Sequence, residues 1–571
     1  MKPDKTDAHT VPFRFYHLLI PAILTGLLLS ATIPVRGVPW LMFIALVPLL
    51  WIEEVMHRNR GHHFTGAFFL LSMVAFVIYG VAGSWWLKNA SLFGAISAVV
   101  LNSLLMSLVM VLFHSGRKHF KSGNAGYYLL ICYWLAFEHL HHNWDLTYPW
   151  YSLGNVFVAW PSWVQWYEYT GVAGGTLWLL VINIMVFILA RPRLVPSSPT
   201  LPLRKHRILI SVLVAWILIP SAISIIKYHT WKPTGEPINV VLVQPNIDPY
   251  KEQYTIGPLA AINNFLTLAE PLIKPNTHFV VGPESMIQEN IWEPHFDHSP
   301  SIDSLRAFVK QRPHLTVIAG ASSFRMFYID EEIELSAREM QPYFQKWYAD
   351  YHGVDPEITT KYYNAYNLGM AIDTTGVTGI THKSKLVAGV ERLPFKKYLA
   401  PLVGDMAIDL GGTVGTLGID SERSVFVHTH TQTKYGVAIC YESVFGEFYG
   451  EFVRNGAQFM FIITNDGWWG DTPGHRQHNA FASLRAIETR REIARSANTG
   501  ITSFINGRGD MIQPTPYWVP DAISHTIYTN DTITFYVRYG DYIGRMAVVF
   551  TVLMLLIVLS YAIVPKKLRK R

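Results

Sequence analysis

The sequence is poor in cysteine. Its 571 residues include two cysteines, of which Cys132 lies in an apolar run and Cys440 lies in a polar region. Two residues cannot build a disulfide framework, so we expect no structural disulfide. The same count excludes a cysteine-rich metal site, and no His-Glu-x-x-His or similarly spaced ligand set occurs. We therefore expect neither a metal nor another cofactor.

The sequence is also poor in charge. Charged residues make up 15% of the chain and hydrophobic residues 50%, which is too apolar for an ordinary soluble protein. Several apolar stretches approach the roughly 20 residues that a helix needs to cross a bilayer core. These stretches are 14–34, 39–56, 64–87, 91–113, 125–143, 170–190, 208–227 and 545–564. The first has no convincing signal-peptide cleavage site after it. The sequence therefore predicts an α-helical transmembrane bundle of about eight spans.

Lysine and arginine near span ends predict the orientation, because positive loops are retained in the cytoplasm. With the N-terminus inside, the outer loops hold only Arg36 and Lys88. The inner segments hold Arg58, Arg60, Arg117, Lys118, Lys121, Arg191, Arg193, Lys205, Lys566, Lys567, Arg569, Lys570 and Arg571. We predict a transmembrane domain of seven spans over 1–230, an extracytoplasmic domain over 231–541, and a final span with a basic cytoplasmic tail over 542–571.

Acidic residues refine this interpretation. The formal charge of +6 does not indicate a nucleic-acid partner, because the outer domain is mildly acidic and offers no basic face for phosphates. Within the proposed spans Glu138 is the only clear acidic residue. Glu53 and Glu54 fall near a span end, where we expect solvation.

The outer domain is predicted to be an α/β unit with one large core. Short β-branched runs predict strands at Ile238–Val243, Phe279–Gly282, Thr316–Ala319, Leu368–Ile372, Val437–Ile439 and Phe459–Ile463. Helical patterns occupy Pro258–Ile273, Ile302–Gln311 and Asn479–Arg495. The segments 324–365 and 386–420 fit this alternation poorly, so we expect long loops there, near the site or the bilayer.

Three polar residues fall where predicted strands end, which is where α/β folds build sites. They are Glu284, Lys383 and Cys440. Taken singly, a strand-end cysteine is commonly a small buried hydrophobe, and a lone glutamate or lysine is commonly just solvated. Their order along the chain and their sequence contexts favour a functional interpretation.

Those contexts resemble the carbon-nitrogen hydrolase, or nitrilase, superfamily. The matching segments are Val280-Val281-Gly282-Pro283-Glu284, Lys383-Ser384-Lys385-Leu386, Cys440-Tyr441-Glu442, Asn465-Asp466-Gly467-Trp468-Trp469-Gly470, Gln477-His478, Arg485-Ala486-Ile487-Glu488, Arg495 and Asn498-Thr499-Gly500-Ile501. The resemblance implies a four-layer α-β-β-α sandwich. It also implies that Cys440 is the nucleophile, Glu284 the base, and Lys383 the cation that stabilises the oxyanion.

Together with the spans, further motifs resemble the apolipoprotein N-acyltransferase family. These motifs are Val243-Gln244-Pro245-Asn246, Glu138, Tyr148-Pro149-Trp150 and Gly154-Asn155. The resemblance implies transfer of an acyl chain from a phospholipid, through a Cys440 thioester, to the N-terminal diacylglyceryl-cysteine of an apolipoprotein. It places the chain in the bacterial inner membrane with its catalytic domain in the periplasm. Membrane lipids would surround it, and a monomer would suffice.

Supporting residues follow from the same resemblance. Glu391 and Glu442 are expected to orient Lys383 and Cys440, although each could be an ordinary loop acid. Tyr441 is expected to form a pocket wall, and Trp468 to lie in the pocket or face the bilayer. The chain departs from the family in two places. Leu386-Val387-Ala388-Gly389-Val390-Glu391 lacks the usual Pro-Phe-Gly, and Tyr254 replaces a tryptophan expected to contact lipid.

Two other functions compete with acyl transfer. A membrane-anchored amidase would share Glu284, Lys383 and Cys440 but would give its acyl group to water. Such an enzyme has no use for apolar residues over the site, such as Leu386, Val387, Leu393 and Phe395. A transporter or scaffold would use intramembrane acids and would not need the three polar residues.

Overall fold

A computed structural model of the protein describes residues 15–59, 65–119, 124–195, 198, 200–398 and 416–563. Two compact units divide the chain. A helical unit comprises Met1–Trp144, Tyr148–Thr230 and Asp541–Arg571, and an α/β unit comprises Asp145–Thr147 and Trp231–Gly540. Some predictions lie outside the described residues, namely those for Arg60, Lys121 and the basic tail Lys566, Lys567, Arg569, Lys570 and Arg571.

The helical unit consists largely of long apolar helices. Its described helices are α1 (Phe15–Ser30), α2 (Val47–Arg58), α3 (Thr65–Ser84), α4 (Leu92–Arg117), α5 (Tyr127–His141), α6 (Tyr167–Leu194), α7 (Leu203–Thr230) and the C-terminal helix Tyr542–Ile563. Among the described residues, six segments are long and apolar enough to cross a membrane: Pro39–Arg58, Thr65–Asn89, Leu92–Arg117, Tyr167–Leu194, Leu203–Thr230 and Tyr542–Ser560. At the first and fifth predicted spans, α1 has 16 residues and α5 has 15.

Glu53 and Glu54 are buried, so the expectation that they are solvated is wrong. The guanidinium of Arg117 contacts both carboxylates, and His114 Nδ1 lies 3.0 Å from Glu53 Oε1. Burial of a carboxylate is tolerable when a cation and hydrogen bonds replace water. Position near a span end therefore did not predict exposure, because α4 brings Arg117 to these two residues.

The α/β unit contains two sheets in the described part of the chain. The first has strands β1 (Pro237–Gln244), β2 (Phe279–Val281), β3 (Ile287–Glu293), β4 (Thr316–Tyr328), β5 (Arg338–Glu339), β6 (Thr359–Asp373), β7 (Gly376–His382) and β14 (Asp521–Tyr528), along the path β14-β1-β2-β4-β6-β5 with β3 beside β4 and β7 beside β6. The second has β8 (Val425–Val427), β9 (Lys434–Ile439), β10 (Phe459–Thr464), β11 (Ile493–Ala497), β12 (Ser503–Ile505) and β13 (Met511–Ile512), in the order β13-β12-β11-β10-β9-β8.

Buried strand residues explain why these segments pair. Alternate residues of β1 and β9 contribute to one apolar core, and others contribute to cores that include helices. The described helices of this unit are α8 (Pro258–Ala269), α9 (Pro300–Lys310), α10 (Pro342–His352), α11 (Gly446–Arg454), α12 (Pro473–Thr489) and α13 (Phe535–Tyr539). The predicted fold class, an α-helical bundle with an α/β domain, is confirmed at this level.

Two sequence-based assignments need correction. The helix predicted to reach Arg495 ends at Thr489, since Arg490 adopts a left-handed conformation with φ of 53°, and Ile493–Ala497 is a buried strand. The segment 324–365 is not one long loop, because its two ends belong to the paired strands β4 and β6 and α10 lies between them. By contrast, 386–395 and 416–420 form turns and irregular backbone.

Candidate active site

Three strand ends of the α/β unit deliver the predicted site residues. Glu284 follows β2, Lys383 follows β7, and Cys440 follows β9. The turn after β2 packs closely on β4: a Cβ added at Gly320 would lie 2.6 Å from Glu284 Cα. Glycine at this position therefore lets the turn that carries Glu284 approach its neighbouring strand.

Lys383 and Glu284 form a buried ion pair. Lys383 Nζ donates to Glu284 Oε1 at 2.9 Å and to Glu391 Oε1 at 2.7 Å. The second oxygen of Glu391 accepts a bond from Val387 N at 2.9 Å, so the altered loop after Lys383 still presents its carboxylate to the ammonium. Glu284 and Lys383 are almost fully buried, and a buried charge needs such partners.

Cys440 lies at a sharp turn from β9 into the short 3-10 helix Cys440–Val444. Its φ of 50° is in the left-handed region, which costs a non-glycine residue on the order of 1–3 kcal/mol. Ser443 Oγ donates to the Cys440 carbonyl oxygen at 2.7 Å, and His478 Nε2 lies 3.2 Å from the same oxygen. Contacts to the carbonyl thus hold the strained turn.

Glu442 joins the backbone beside Cys440 to the backbone beside Lys383. It accepts a bond from Ile439 N at 2.8 Å and another from Ser384 N at 2.6 Å. We expected Glu442 to orient the two side chains. Its hydrogen bonds go to the peptide groups next to them, and the orienting role stays a prediction.

Burial and the Glu284 carboxylate keep the resting Cys440 thiol protonated. Burial raises the pKa of Cys440, and the nearby Glu284 carboxylate raises it further, while the Lys383 ammonium opposes both. Burial alone would lower the pKa of Lys383, but Glu284 and Glu391 hold it well above its usual value. Burial also raises the pKa of Glu442, to about 7. The resting thiol of Cys440 is therefore protonated, and an attack by this sulfur would require a base to take its proton.

The remaining predicted site residues occupy different surroundings. Tyr441 is buried, and its hydroxyl donates to Thr147 O at 2.8 Å. Tyr254 is 54% exposed. Partial burial raises the pKa of its hydroxyl, and the charge of Glu284 raises it further. Trp468 is half-buried and packs edge-on against Tyr250 with ring centroids 5.2 Å apart. Tyr254 and Trp468 thus lie in the same unit as Glu284, Lys383 and Cys440.

Sequence reasoning missed two partners of Glu284. Asn367 Nδ2 donates to Glu284 Oε1 at 2.7 Å, and the backbone N–H of Asn465 donates to Oε2 at 3.0 Å. Asn465 stood in a recognised motif without an assigned role. No sequence pattern pointed to Asn367, because an asparagine inside a predicted strand does not show which face of the sheet its side chain occupies.

A second buried ion pair lies behind Cys440. Asp466 Oδ2 accepts a bond from Arg495 at 2.6 Å, and Asp466 Oδ1 lies 2.8 Å from His478 Nδ1. The guanidinium and the imidazole outweigh burial and lower the pKa of Asp466. Through His478 this network reaches the Cys440 carbonyl.

We predict that Asp466→Ala destabilises the α/β unit by about 3–5 kcal/mol, because it leaves Arg495 buried without its anion. Asp471→Ala is the matched control, since Asp471 is 67% exposed and its pair with Arg476 is worth about 0–1 kcal/mol. Thermal and denaturant melts of the purified full chain measure both. Equal loss of stability in the two variants would contradict the assignment.

Two groups of residues have the chemistry of metal ligands. Ligand atoms of Cys440, Asp466 and His478 lie within 4.8 Å of one another. Arg495 donates to Asp466 at this place, so a cation there would face the guanidinium. His295, His298 and His352 stack with ring centroids 4.2 and 4.9 Å apart at interplanar angles of 20° and 9°. Their lone pairs lie in nearly parallel planes and do not converge on one ion.

Glu284 is one of the residues that line a pocket in the α/β unit. Apolar side chains of Ile247, Ile256, Ala261 and Met286 form much of its wall. The carboxylate is therefore within reach of a molecule that enters this space. A buried thiol, a carboxylate and an ammonium together can form and break an acyl-cysteine bond.

Comparisons with known proteins agree with this chemistry. The family model described as "Apolipoprotein N-acyltransferase N-terminal domain" matches residues 25–185, and the model described as "Carbon-nitrogen hydrolase" matches residues 331–535. The chain is similar to proteins named "Apolipoprotein N-acyltransferase" from three organisms. Identity is 27% in Chlorobaculum tepidum, over 92% of this chain and 93% of the relative. It is 25% in Geobacter metallireducens, over 94% and 93%, and 27% in Allorhizobium ampelinum, over 86% and 85%.

Proposed function

The chain belongs to the apolipoprotein N-acyltransferase family, and we propose that it moves an acyl chain from a phospholipid to the α-amino group of a diacylglyceryl-cysteine at the N-terminus of an apolipoprotein. The single observation that carries the mechanism is the ammonium of Lys383 bonded to Glu284 and Glu391 beside the Cys440 turn. A carboxylate held in this way can accept a proton from the thiol.

We propose that the first half-reaction acylates Cys440. Glu284 accepts the thiol proton while sulfur attacks the ester carbonyl of the phospholipid. An ammonium has three N–H donors, two of which Lys383 gives to Glu284 and Glu391. The third, with the backbone N–H of Tyr441, would stabilise the developing oxyanion. Glu284 then returns its proton to the departing glycerol oxygen, which leaves a thioester and a lysophospholipid.

In the second half-reaction the acceptor amine is the nucleophile and Cys440 is the leaving group. The α-amine of the acceptor attacks the thioester carbonyl, Glu284 takes a proton from the amine, and the thiolate of Cys440 leaves and is reprotonated. An amide forms and a thioester bond breaks, so the free enzyme is regenerated. The kinetics are ping-pong, because the first product departs before the acceptor reacts.

The finer architecture is part of this proposal. We propose eight spans, with both termini cytoplasmic and the catalytic domain in the periplasm, on the basis of the loop charges. We further propose a four-layer α-β-β-α arrangement of the α/β unit. It is supported by one apolar core with residues from both sheets and by two further cores that include helix residues. A monomer would suffice, since Glu284, Lys383 and Cys440 come from one chain.

The test supplies full-length enzyme in detergent with phosphatidylethanolamine and then with a synthetic diacylglyceryl-cysteinyl peptide. We expect intact-mass spectrometry to find one acyl group on the enzyme and peptide mapping to place it on Cys440. Adding the peptide should remove that group and yield the N-acyl peptide. An N-acetylated peptide of the same sequence is the control, because its nitrogen cannot accept the acyl chain.

The competing function is an amidase that passes its acyl group to water. An acyl-enzyme that decays at the same rate with the free-amine peptide, the blocked peptide or buffer alone would favour hydrolysis. A chain that forms no acyl-enzyme at all would favour the scaffold or transporter interpretation.

A further inference from the structure

His382, the last residue of β7, lies between two carboxylates directly before Lys383. Its Nδ1 is 2.6 Å from Asp420 Oδ1, and its Nε2 is 3.0 Å from Glu293 Oε1. Its ring stacks on Tyr366 with centroids 4.0 Å apart at an angle of 27°. The side chain is 10% exposed, so water does not replace these contacts easily.

Both ring nitrogens must donate in this arrangement. A neutral imidazole has one N–H, and its other nitrogen would set a lone pair against a carboxylate. The geometry therefore selects the imidazolium, which can donate to Asp420 and Glu293 at once.

Asp420, which contacts the His382 ring, also contacts the backbone and side chains next to Lys383. Asp420 also accepts a bond from His382 N at 2.7 Å, and Asp420 N donates to Ser384 Oγ at 3.0 Å. Three residues before Asp420, Leu417 N donates to Glu391 O at 3.0 Å. One imidazolium thus fixes the end of β7, the residues that flank Lys383, and the segment that contacts Glu391.

We propose that His382, held as an imidazolium between Glu293 and Asp420, is a positioning residue that keeps the Lys383 ammonium in place for acyl transfer. The inference rests on the proposed function, since its consequence is a change in the rate of Cys440 acylation. His382 itself contacts no reacting atom.

Other polar and charged groups around the ring come from β4, the segment between β4 and β5, β6 and the residues after Asp420. Tyr366 faces the ring, while Arg325 and Glu334 act on Tyr366 and Arg423 acts on Asp420. Burial alone would lower the pKa of His382, but the bonds to Asp420 and Glu293 raise it to about 9. The cation is therefore present below pH 9 and is lost as the pH rises through that value. One of the two carboxylates then loses the imidazolium N–H that it accepted, while Asp420 keeps its bond from His382 N and Glu293 keeps its bond from Ser323 Oγ.

The experiment measures the rate of Cys440 acylation by phospholipid alone, between pH 6 and 10.5, for the wild-type chain, H382N, D420N and H430N. We expect the wild-type rate to fall above about pH 9. In H382N we expect a rate about 10- to 100-fold lower at neutral pH, because small misplacement of a reacting group costs up to this much, and no alkaline fall. In D420N the fall should begin at lower pH, since one carboxylate that raises the pKa of His382 is neutral.

H430N is the matched control, because His430 is exposed, its ring bonds to the Pro313 carbonyl, and it is not among the groups that act on His382. We expect its rate and pH profile to equal those of the wild type. An alkaline fall at the same pH in the wild type, H382N and D420N overturns the inference while leaving acyl transfer intact. A wild-type chain that never acylates Cys440 overturns the proposed function and this inference with it. If H382N does not fold, the pH at which the acylation rate of D420N falls still tests the inference.

Discussion

Replacing Cys440 with alanine is expected to abolish acylation of the enzyme and to reduce transfer to the acceptor by at least about 10⁴-fold. Cys440 supplies the only thiol at the site among the described residues, since Cys132 lies in α5 of the helical unit. Without a nucleophile, Glu284 and Lys383 have no covalent intermediate to form or stabilise, and losses of this size follow removal of a catalytic nucleophile. Intact-mass spectrometry after incubation with phospholipid gives the acyl-enzyme directly.

Cys132→Ala is the matched control, because it removes the other thiol of the chain. We expect it to form the acyl-enzyme at the wild-type rate. Acyl groups that persist in Cys440→Ala, or disappear in Cys132→Ala, would show that the thioester lies elsewhere. Both variants should fold, since each substitution removes only a thiol group from a buried or half-buried side chain.

Lys383→Met should reduce acylation by at least about a thousandfold, which is the upper range for loss of one oxyanion-stabilising donor. Among the described residues, Lys383 is the one cation bonded to both Glu284 and Glu391. Its removal leaves the buried Glu284 and the half-buried Glu391 without the cation that they share, and repulsion between the two carboxylates disfavours the ionised base. The rate of the single acylation step, measured by rapid quench, separates this effect from acceptor binding.

Lys385→Met provides the comparison, two residues further along the same segment. Its ammonium lies over the Phe445 ring at 4.9 Å from the centroid, and the carboxylates that act on it are Glu451, Glu442 and Glu447. We expect its acylation rate to remain within a few-fold of the wild type. Equal losses in the two variants would mean that Lys383 acts only through general folding of the loop, and the role of its ammonium would be refuted.

Much of the fold was readable from local patterns. The strand predictions at Ile238–Val243 and Phe459–Ile463 fall inside β1 and β10, because continuous β-branched runs indicate buried strands wherever they pair. The family resemblance drawn from the motifs is confirmed by the matching family models. The wrong helix end near Arg495 arose because Asn479 to Arg495 has helical spacing, and spacing does not show that Arg490 turns left-handed.

The positions of the site residues depended on pairs far apart in sequence. Asn367 is 83 residues from Glu284, and Asn465 is 181 residues from it. A local sequence pattern does not show how far apart two such residues lie in the folded chain or how their side chains are directed. The burial of Glu53 and Glu54 had the same origin, because their partner Arg117 comes from another helix.

The sequence by itself determined the apolar lengths, the asymmetry of loop charges, the strand runs and the order of Glu284, Lys383 and Cys440, because each is a property of neighbouring residues. Tertiary structure alone decided which carboxylates bind the Lys383 ammonium and which peptide groups bind Glu442. It also decided that His382 lies between Glu293 and Asp420. Hydrogen bonds and ion pairs depend on distances of about 3 Å, and only the packed chain fixes those.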